Sequence, residues 1–403
     1  MENKYHARNG LLSESPTATV DLDLDIVYII LSLLSRQDLL RLMSTCRTLN
    51  NAAVRHLLNF HVHLNSARKI ESFCAFMLAQ APLRYPFLRQ LSLGGLDGPV
   101  SPESIHQLVK IFTHASRLET LHLTCCDLLK LEHRLRAACS SLTSLKEFHM
   151  CWSGGLVSWA KDPLYQMVKQ MQSPLVKVIL IFFGRIDSIG LDPAVLLHHS
   201  SATLEDLEVY HPHSSLSYSF RALTDLTILP YADRSTAADS NQHRQLNRSV
   251  QLAGGGWTSL DRLTGCRSIS MVADILSDCR PSHVDIVFDQ MFPSIPCLSD
   301  DVAARPTHLR CALLLRYFDG SPNALDIFQP LLQCESMRGV TFVQQCGPEA
   351  IASQIIASYP SIRYIAIEVD CIEPLFWKVL ATESGDVVVD KAPKEDISVV
   401  MDF

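Results

Sequence analysis

A chain of 403 residues is long enough for two or three ordinary domains or for one extended array. Hydrophobic residues make up 47% and charged residues 19%, which provides enough apolar surface to order the chain and excludes disorder throughout. Lys and Arg number 35 against 42 Asp and Glu, a formal net charge of -7. That balance argues against a general nucleic-acid-binding role, because phosphate binding needs clustered cations. Leucine fills roughly one position in seven, well above its ordinary lead.

Residues 1–20 are polar and aperiodic and read as a disordered lead. Ile26, Ile29, Ile30, Leu33 and Leu34 then fall at the spacing of one apolar helix face. Asp25 is the expected N-cap, with Asp21 and Asp23 on the favourable side of the helix dipole. Ser35-Arg36-Gln37-Asp38 resembles a capping box and opens a second helix, which carries Leu39, Leu42, Met43 and Cys46. A third helix is expected over Asn50 to Phe60, with Ala53, Val54, Leu57 and Leu58 inward. Together these make a three-helix module over 21–65 whose core is too small to be very stable alone.

From about residue 85 the pattern changes to a repeat. The template LxxLxL occurs at Leu88-Leu91-Leu93 and Leu118-Leu121-Leu123, with looser copies at Leu145-Phe148-Met150, Leu175-Val178-Leu180 and Leu204-Leu207-Val209. Leu223-Leu226-Ile228 comes early, the register is then lost, and it resumes at Met337-Val340-Phe342 and Ile362-Ile365-Ile367. Its period sits at the long end of the leucine-rich-repeat range of about 20–29 residues. Between the templates lie helix openers: Ser101-Pro102, Asp162-Pro163, Asp192-Pro193, Ser321-Pro322 and Gly347-Pro348. Strands joined by helical crossovers must run parallel. The expected fold is therefore α/β: the three-helix module, then a leucine-rich-repeat solenoid over 66–390, with parallel strands on the concave face and helices on the convex face. A polar stretch at about 231–259, containing Gly254-Gly255-Gly256, reads as an insertion loop, either a flexible flap or a binding element. Asp386–Asp390 reads as a last strand and 391–403 as a flexible tail.

No catalytic constellation is present: there is no GxSxG elbow, phosphate loop or HExxH helix, so an enzyme is not expected. The thirteen cysteines contain no CxxC pair, and Cys46, Cys139 and Cys311 sit in apolar stretches, as reduced and buried thiols do. His61/His63 and His211/His213 place two imidazoles on one strand face. Neither pair has a third ligand at recognisable spacing, so neither a metal nor any other cofactor is expected. The N-terminus lacks the apolar stretch of a secretory signal, and no apolar run approaches the roughly 18 residues of a spanning helix. A protein of the cytoplasm or nucleus, without membrane contact, is the expectation.

The most specific stretch is Leu22 to Leu49, LDLDIVYIILSLLSRQDLLRLMSTCRTL. It resembles the F-box family pattern LPxEILxxILxxLxxxDLLxLxxVCRxL. Leu22, Ile26, Ile30, Leu31, Leu34, Asp38, Leu39, Leu40, Leu42, Cys46, Arg47 and Leu49 match, and Asp25 stands for the usual Glu. Asp23 stands where the family has Pro, in a Leu-Pro pair that belongs to the family's docking surface. The resemblance implies docking onto the Skp-type linker protein of cullin ubiquitin ligases, with the repeats selecting a protein substrate. The alternative is a leucine-rich-repeat scaffold whose helical N-terminus serves only as a cap. The x positions of the template supply the candidate substrate face: Glu119, Thr120 and His122; Lys146, Glu147 and His149; Glu205, Asp206 and Glu208. The last group makes one acidic patch, suited to a basic partner segment.

Overall fold

The computed structural model describes residues 23–96, 98–124, 127–153, 162–183, 193–210, 222–228, 260–266, 281–288, 308–313, 339–343, 362, 364–368, 375–381 and 387–391. The chain divides into two compact units, Met1–Phe60 and His61–Phe403. The expected lead, the 231–259 insertion and residues 392–403 of the tail lie outside the described residues.

The first unit holds three helices, α1 (Leu24–Leu33), α2 (Arg36–Met43) and α3 (Arg47–Leu57), with α3 against both of the others. The N-cap of α1 is Asp23, not Asp25: its side chain accepts from the Asp25 backbone N–H at 3.0 Å. Asp25 itself falls in the first helical turn, where a carboxylate also complements the helix dipole. Ser35 caps α2 by accepting from the Asp38 N–H, but the box does not close through the backbone. The short Asp38 side chain instead accepts from the Ser35 hydroxyl at 2.7 Å and from Arg41 at 3.1 Å. Cys46 lies beyond α2. It is the N-cap of α3, exposed rather than buried, with its sulfur accepting from the Leu49 N–H at 3.5 Å. The cap moves the start of α3 to Arg47, ahead of the expected Asn50, and α3 ends at Leu57. The core consists of Leu31, Leu39, Met43, Ala52, Ala53, Val54 and Leu58.

The second unit is built on one sheet whose strands follow one another in chain order. They are β1 (Val62–Leu64), β2 (Gln90–Gly94), β3 (Thr120–Thr124), β4 (Glu147–Ser153), β5 (Lys177–Phe183), β6 (Asp206–Tyr210) and β7 (Asp225–Ile228). Then come β8 (Arg262–Cys266), β9 (His283–Phe288), β10 (His308–Leu313), β11 (Gly339–Val343), β12 (Tyr364–Glu368), β13 (Leu375–Ala381) and β14 (Val387–Lys391). Neighbours from β1 through β12 pair in parallel. Because Val62–Leu64 pairs with β2, it belongs to the sheet, and the helical unit stops at Phe60 instead of reaching 65.

The template residues fill one side of the sheet: Leu91, Leu93, Leu121, Leu123, Phe148, Met150, Val178, Leu180, Leu207 and Val209 are all buried. Between described strands run α4 (Ala67–Leu78), α5 (Pro102–His114), α6 (Asp127–Leu131), α7 (His133–Ser140), α8 (Pro163–Lys169) and α9 (Pro193–Leu196). Helices α4, α5, α7, α8 and α9 pack in series. Ser101 and Asp162 cap α5 and α8 by accepting from the Ser104 and Leu164 N–H groups, with proline opening each helix. The openers at 321–322 and 347–348 lie outside the described residues.

A polar device joins each turn to the next. The Arg89 carbonyl accepts two N–H groups, from Glu119 and Thr120, at 2.8 and 3.0 Å. The carbonyls of Glu119, Lys146, Val176, Glu205 and Thr224 repeat this with the two N–H groups that open the following strand. Hydroxyls reinforce the same joints: Ser144 donates to the Leu118 carbonyl at 2.7 Å, Ser200 to Ser173 at 3.0 Å and Thr203 to Leu175 at 2.8 Å.

Two stretches depart from the sequence-based expectation. Where the leucine register is lost after 228, β8, β9 and β10 continue the ladder, with Leu260, Leu263 and Val284 buried. Gly265 takes a template position there, so the pattern fades although the pairing does not. The sheet also does not stay parallel to its end. β12 pairs antiparallel with β13, which pairs antiparallel with β14, and Lys391 closes that last strand rather than opening the tail.

Candidate docking surfaces

The helical unit buries one stripe of its apolar residues and exposes another. Leu31 is 1% exposed and Leu39 0%, yet Ile26 is 48%, Ile29 61%, Ile30 43% and Leu33 81% exposed. On α1, residues 26, 29, 30 and 33 share one face at helical spacing, and Leu40 on α2 is exposed as well. The apolar face marked by the spacing of α1 is thus largely left at the surface. Exposed apolar residues grouped on one helix face make this a candidate docking surface.

The other matched positions divide by role. Leu39 is wholly buried in the unit's own core. Leu34, Leu42 and Leu49 are half-buried, as is Asp38, which is held by Ser35 and Arg41. Asp25 and Arg47 are exposed. Asp23 and Cys46 act through the backbone, as caps. Leu22 lies outside the described residues.

The second surface is the outward side of the sheet, where register sets residues from different repeats in rows. One row runs His63, Ser92, His122, His149, Ile179, Glu208, Thr227, Thr264, Asp285. A parallel row runs Gln90, Thr120, Glu147, Lys177, Asp206, Asp225, Arg262, His283. Of the expected substrate-face residues, the structure brings His122 and His149 together, their rings 5.1 Å apart. Glu119 is occupied by Arg89 at 2.7 Å, and Lys146 is exposed. Thr120 is buried.

The acidic group is less uniform than its sequence suggests. Asp206 pairs with Lys177 at 2.5 Å, and this contact raises the lysine pKa, with Glu147 and Glu208 adding to the effect. The register adds residues that spacing alone did not reveal. Asp225 and Asp285 join the two rows, and Asp261 lies 3.7 Å from His283. Their only sequence signal is position, Asp225 in β7, Asp285 in β9 and Asp261 just before β8, and the last two lie where the leucine pattern fades.

Histidines from β1, β3 and β4, with His61 just before β1, gather on this side of the sheet. The ring of His61 stacks on His63 at 4.1 Å and meets His122 edge-on at 4.9 Å, and its Nε2 lies 2.6 Å from the Ser92 hydroxyl. Burial lowers the pKa of His61, His122 and His149, and neighbouring imidazoles lower the first two further. His211 and His213 lie outside the described residues. Among the described residues no group of three or more His, Cys, Asp or Glu side chains is placed to hold a metal ion. No described helix is long and apolar enough to cross a membrane. The described cysteines Cys46, Cys74, Cys139 and Cys151 are unbridged, and burial pushes the Cys74 thiol pKa up to about 12, far from a reactive thiolate.

The F-box domain family model matches residues 20–61. No curated protein matches the chain. An F-box domain thus occupies the helical unit, and such domains serve substrate recognition by Skp–cullin–F-box ligases in general, binding Skp-type linker proteins.

Proposed function

We propose that this chain is a substrate-recognition subunit of a Skp–cullin–F-box ubiquitin ligase, an adaptor and not an enzyme. The observation that carries this reading is the exposed face Ile26, Ile29, Ile30 and Leu33, which lies inside the F-box match and is left uncovered by the described residues of its own unit. The Skp-type linker covers this face. The sheet unit is read as an irregular leucine-rich-repeat solenoid, with strands concave and helices convex, and its outward strand face takes a protein substrate. Chain-order parallel pairing, buried template leucines and the repeated shared carbonyls support that assignment. Function is then tethering: substrate held beside the ligase meets the ubiquitin donor at high effective concentration. The acidic residues Glu208, Asp225 and Asp285 in these rows favour a basic substrate segment. Nucleic acid, membrane and cofactors have no part in this reading, and its place is the cytoplasm, the nucleus or both.

Capture of the full chain by purified Skp-type linker tests the proposal. Wild type is expected to bind at micromolar concentration. Leu33→Asp and Ile29→Asp, both at exposed positions, are expected to weaken capture at least about tenfold with an unchanged melting temperature. Absence of wild-type binding would sink the ligase reading in favour of the capped repeat scaffold. Unchanged capture by both variants would show that this face is not the docking surface.

A further inference from the structure

Four imidazoles lie together on the outward side of β1–β4, drawn from segments that the sequence keeps far apart. His61 and His63 flank Val62, His122 sits in β3 and His149 in β4, and successive rings are 4.1, 4.9 and 5.1 Å apart. The strands fix this spacing, because His63, Ser92, His122 and His149 occupy one register row. Few other charges face the row. Glu147 is the carboxylate that acts on His122, while Lys177 follows it on β5, engaged by Asp206. Ser92 and Gln90 on β2 do not titrate, the Cys151 thiol on β4 is buried, and Arg89 is bound to Glu119. A proton placed on His61 meets His63 and His122, and one placed on His122 meets His149 and His63, with Glu147 opposing them.

We propose that His61, His63, His122 and His149 form a proton-responsive strip that holds the β1 edge on the sheet when neutral and loosens it on mild acidification. This inference goes beyond the adaptor reading and does not depend on it. β1 is the element poised to respond. It has three residues, pairs with β2 alone, and is reinforced by the hydrogen bond between His61 and Ser92. Neutral rings stack without repulsion, whereas charged rings about 4–5 Å apart repel through a partly desolvated environment. The linkage runs in one direction. His61, His122 and His149 have folded pKa values below 6.5, so below that pH the unfolded chain binds more protons. Their contribution to stability is complete above pH 6.5 and is lost as the pH falls below it.

The test uses the full chain labelled at histidine Cε1 and titrated by NMR, together with hydrogen exchange over residues 61–66 at pH 7.5 and 5.5. Midpoints below 6.5 are expected for His61, His122 and His149, and His122→Gln should raise those of His61 and His149. Exchange over 61–66, corrected for its intrinsic pH dependence, should accelerate several-fold at the lower pH. Both His122→Gln and the exposed-site variant His63→Gln should suppress that acceleration. Midpoints at or above 6.5 that do not respond to His122→Gln would overturn the coupling. Equal corrected exchange at the two pH values, or acceleration that persists in both variants, would overturn the loosening of β1.

Discussion

In the sheet unit, Leu91, Leu121 and Leu207 vanish completely from the surface, while in the helical unit Ile26, Ile29, Ile30 and Leu33 stand open to solvent. Both sets follow the apolar periodicity of their element. The difference lies in what each can pack against. An interior strand of the sheet has a neighbour on each side, and crossover helices pack beside the described early strands, so its apolar side is consumed. Three short helices enclose room for one stripe per helix, and a second stripe on α1 is left over. Surplus apolar surface in a small unit is available to a partner, whereas the buried residues of the sheet unit hold it together.

Truncating buried and exposed apolar residues should break or sharpen this contrast. Leu207→Ala is expected to cost about 2–5 kcal/mol in urea unfolding, as cavity-forming core changes do. Ile29→Ala should stay within about 0.5 kcal/mol. Similar costs at the two sites would erase the distinction. Next in size is Ser200→Ala. The Ser200 hydroxyl accepts from the Leu175 N–H and donates to the Ser173 carbonyl in a site it leaves 2% exposed. Its loss should cost about 1–3 kcal/mol by urea unfolding. A neutral result would mean that the hydroxyl joints do not couple neighbouring repeats. A smaller loss is expected for Asp23→Ala, which removes the cap of α1 and should lower helical-unit stability by about 1 kcal/mol, read by hydrogen exchange over α1. Protection that does not change would show that neighbouring structure, not the cap, holds the start of α1.

Much of this was legible before the structure. The LxxLxL templates placed β2 through β6 because each leucine answers to one rule, burial on one side of a strand. Ser101-Pro102 and Asp162-Pro163 marked helix starts because capping and the missing proline N–H are local effects. The misses arise where one pattern serves two ends. Helical periodicity on α1 reported an apolar face but not whether it turned inward, and Cys46 matched the spacing of α2 while capping α3. β8, β9 and β10 were hidden because backbone pairing tolerates Gly265, Val284 and Cys311 at template positions where a leucine count does not. The histidine strip was invisible for another reason: His61, His122 and His149 become neighbours only through the register of non-adjacent segments.

The shared carbonyls carry a consequence for how such a chain can change length. Each accepts from the strand that follows it, at Arg89, Glu119, Lys146, Val176, Glu205 and Thr224 alike. A whole strand-and-crossover unit added between two of these joints would find the same acceptor before it and supply the same acceptor after it. An addition of half a unit would leave one joint without its donors. At the far end β13 and β14 reverse direction, so the run of parallel pairings stops at β12. The array is thus extensible from within.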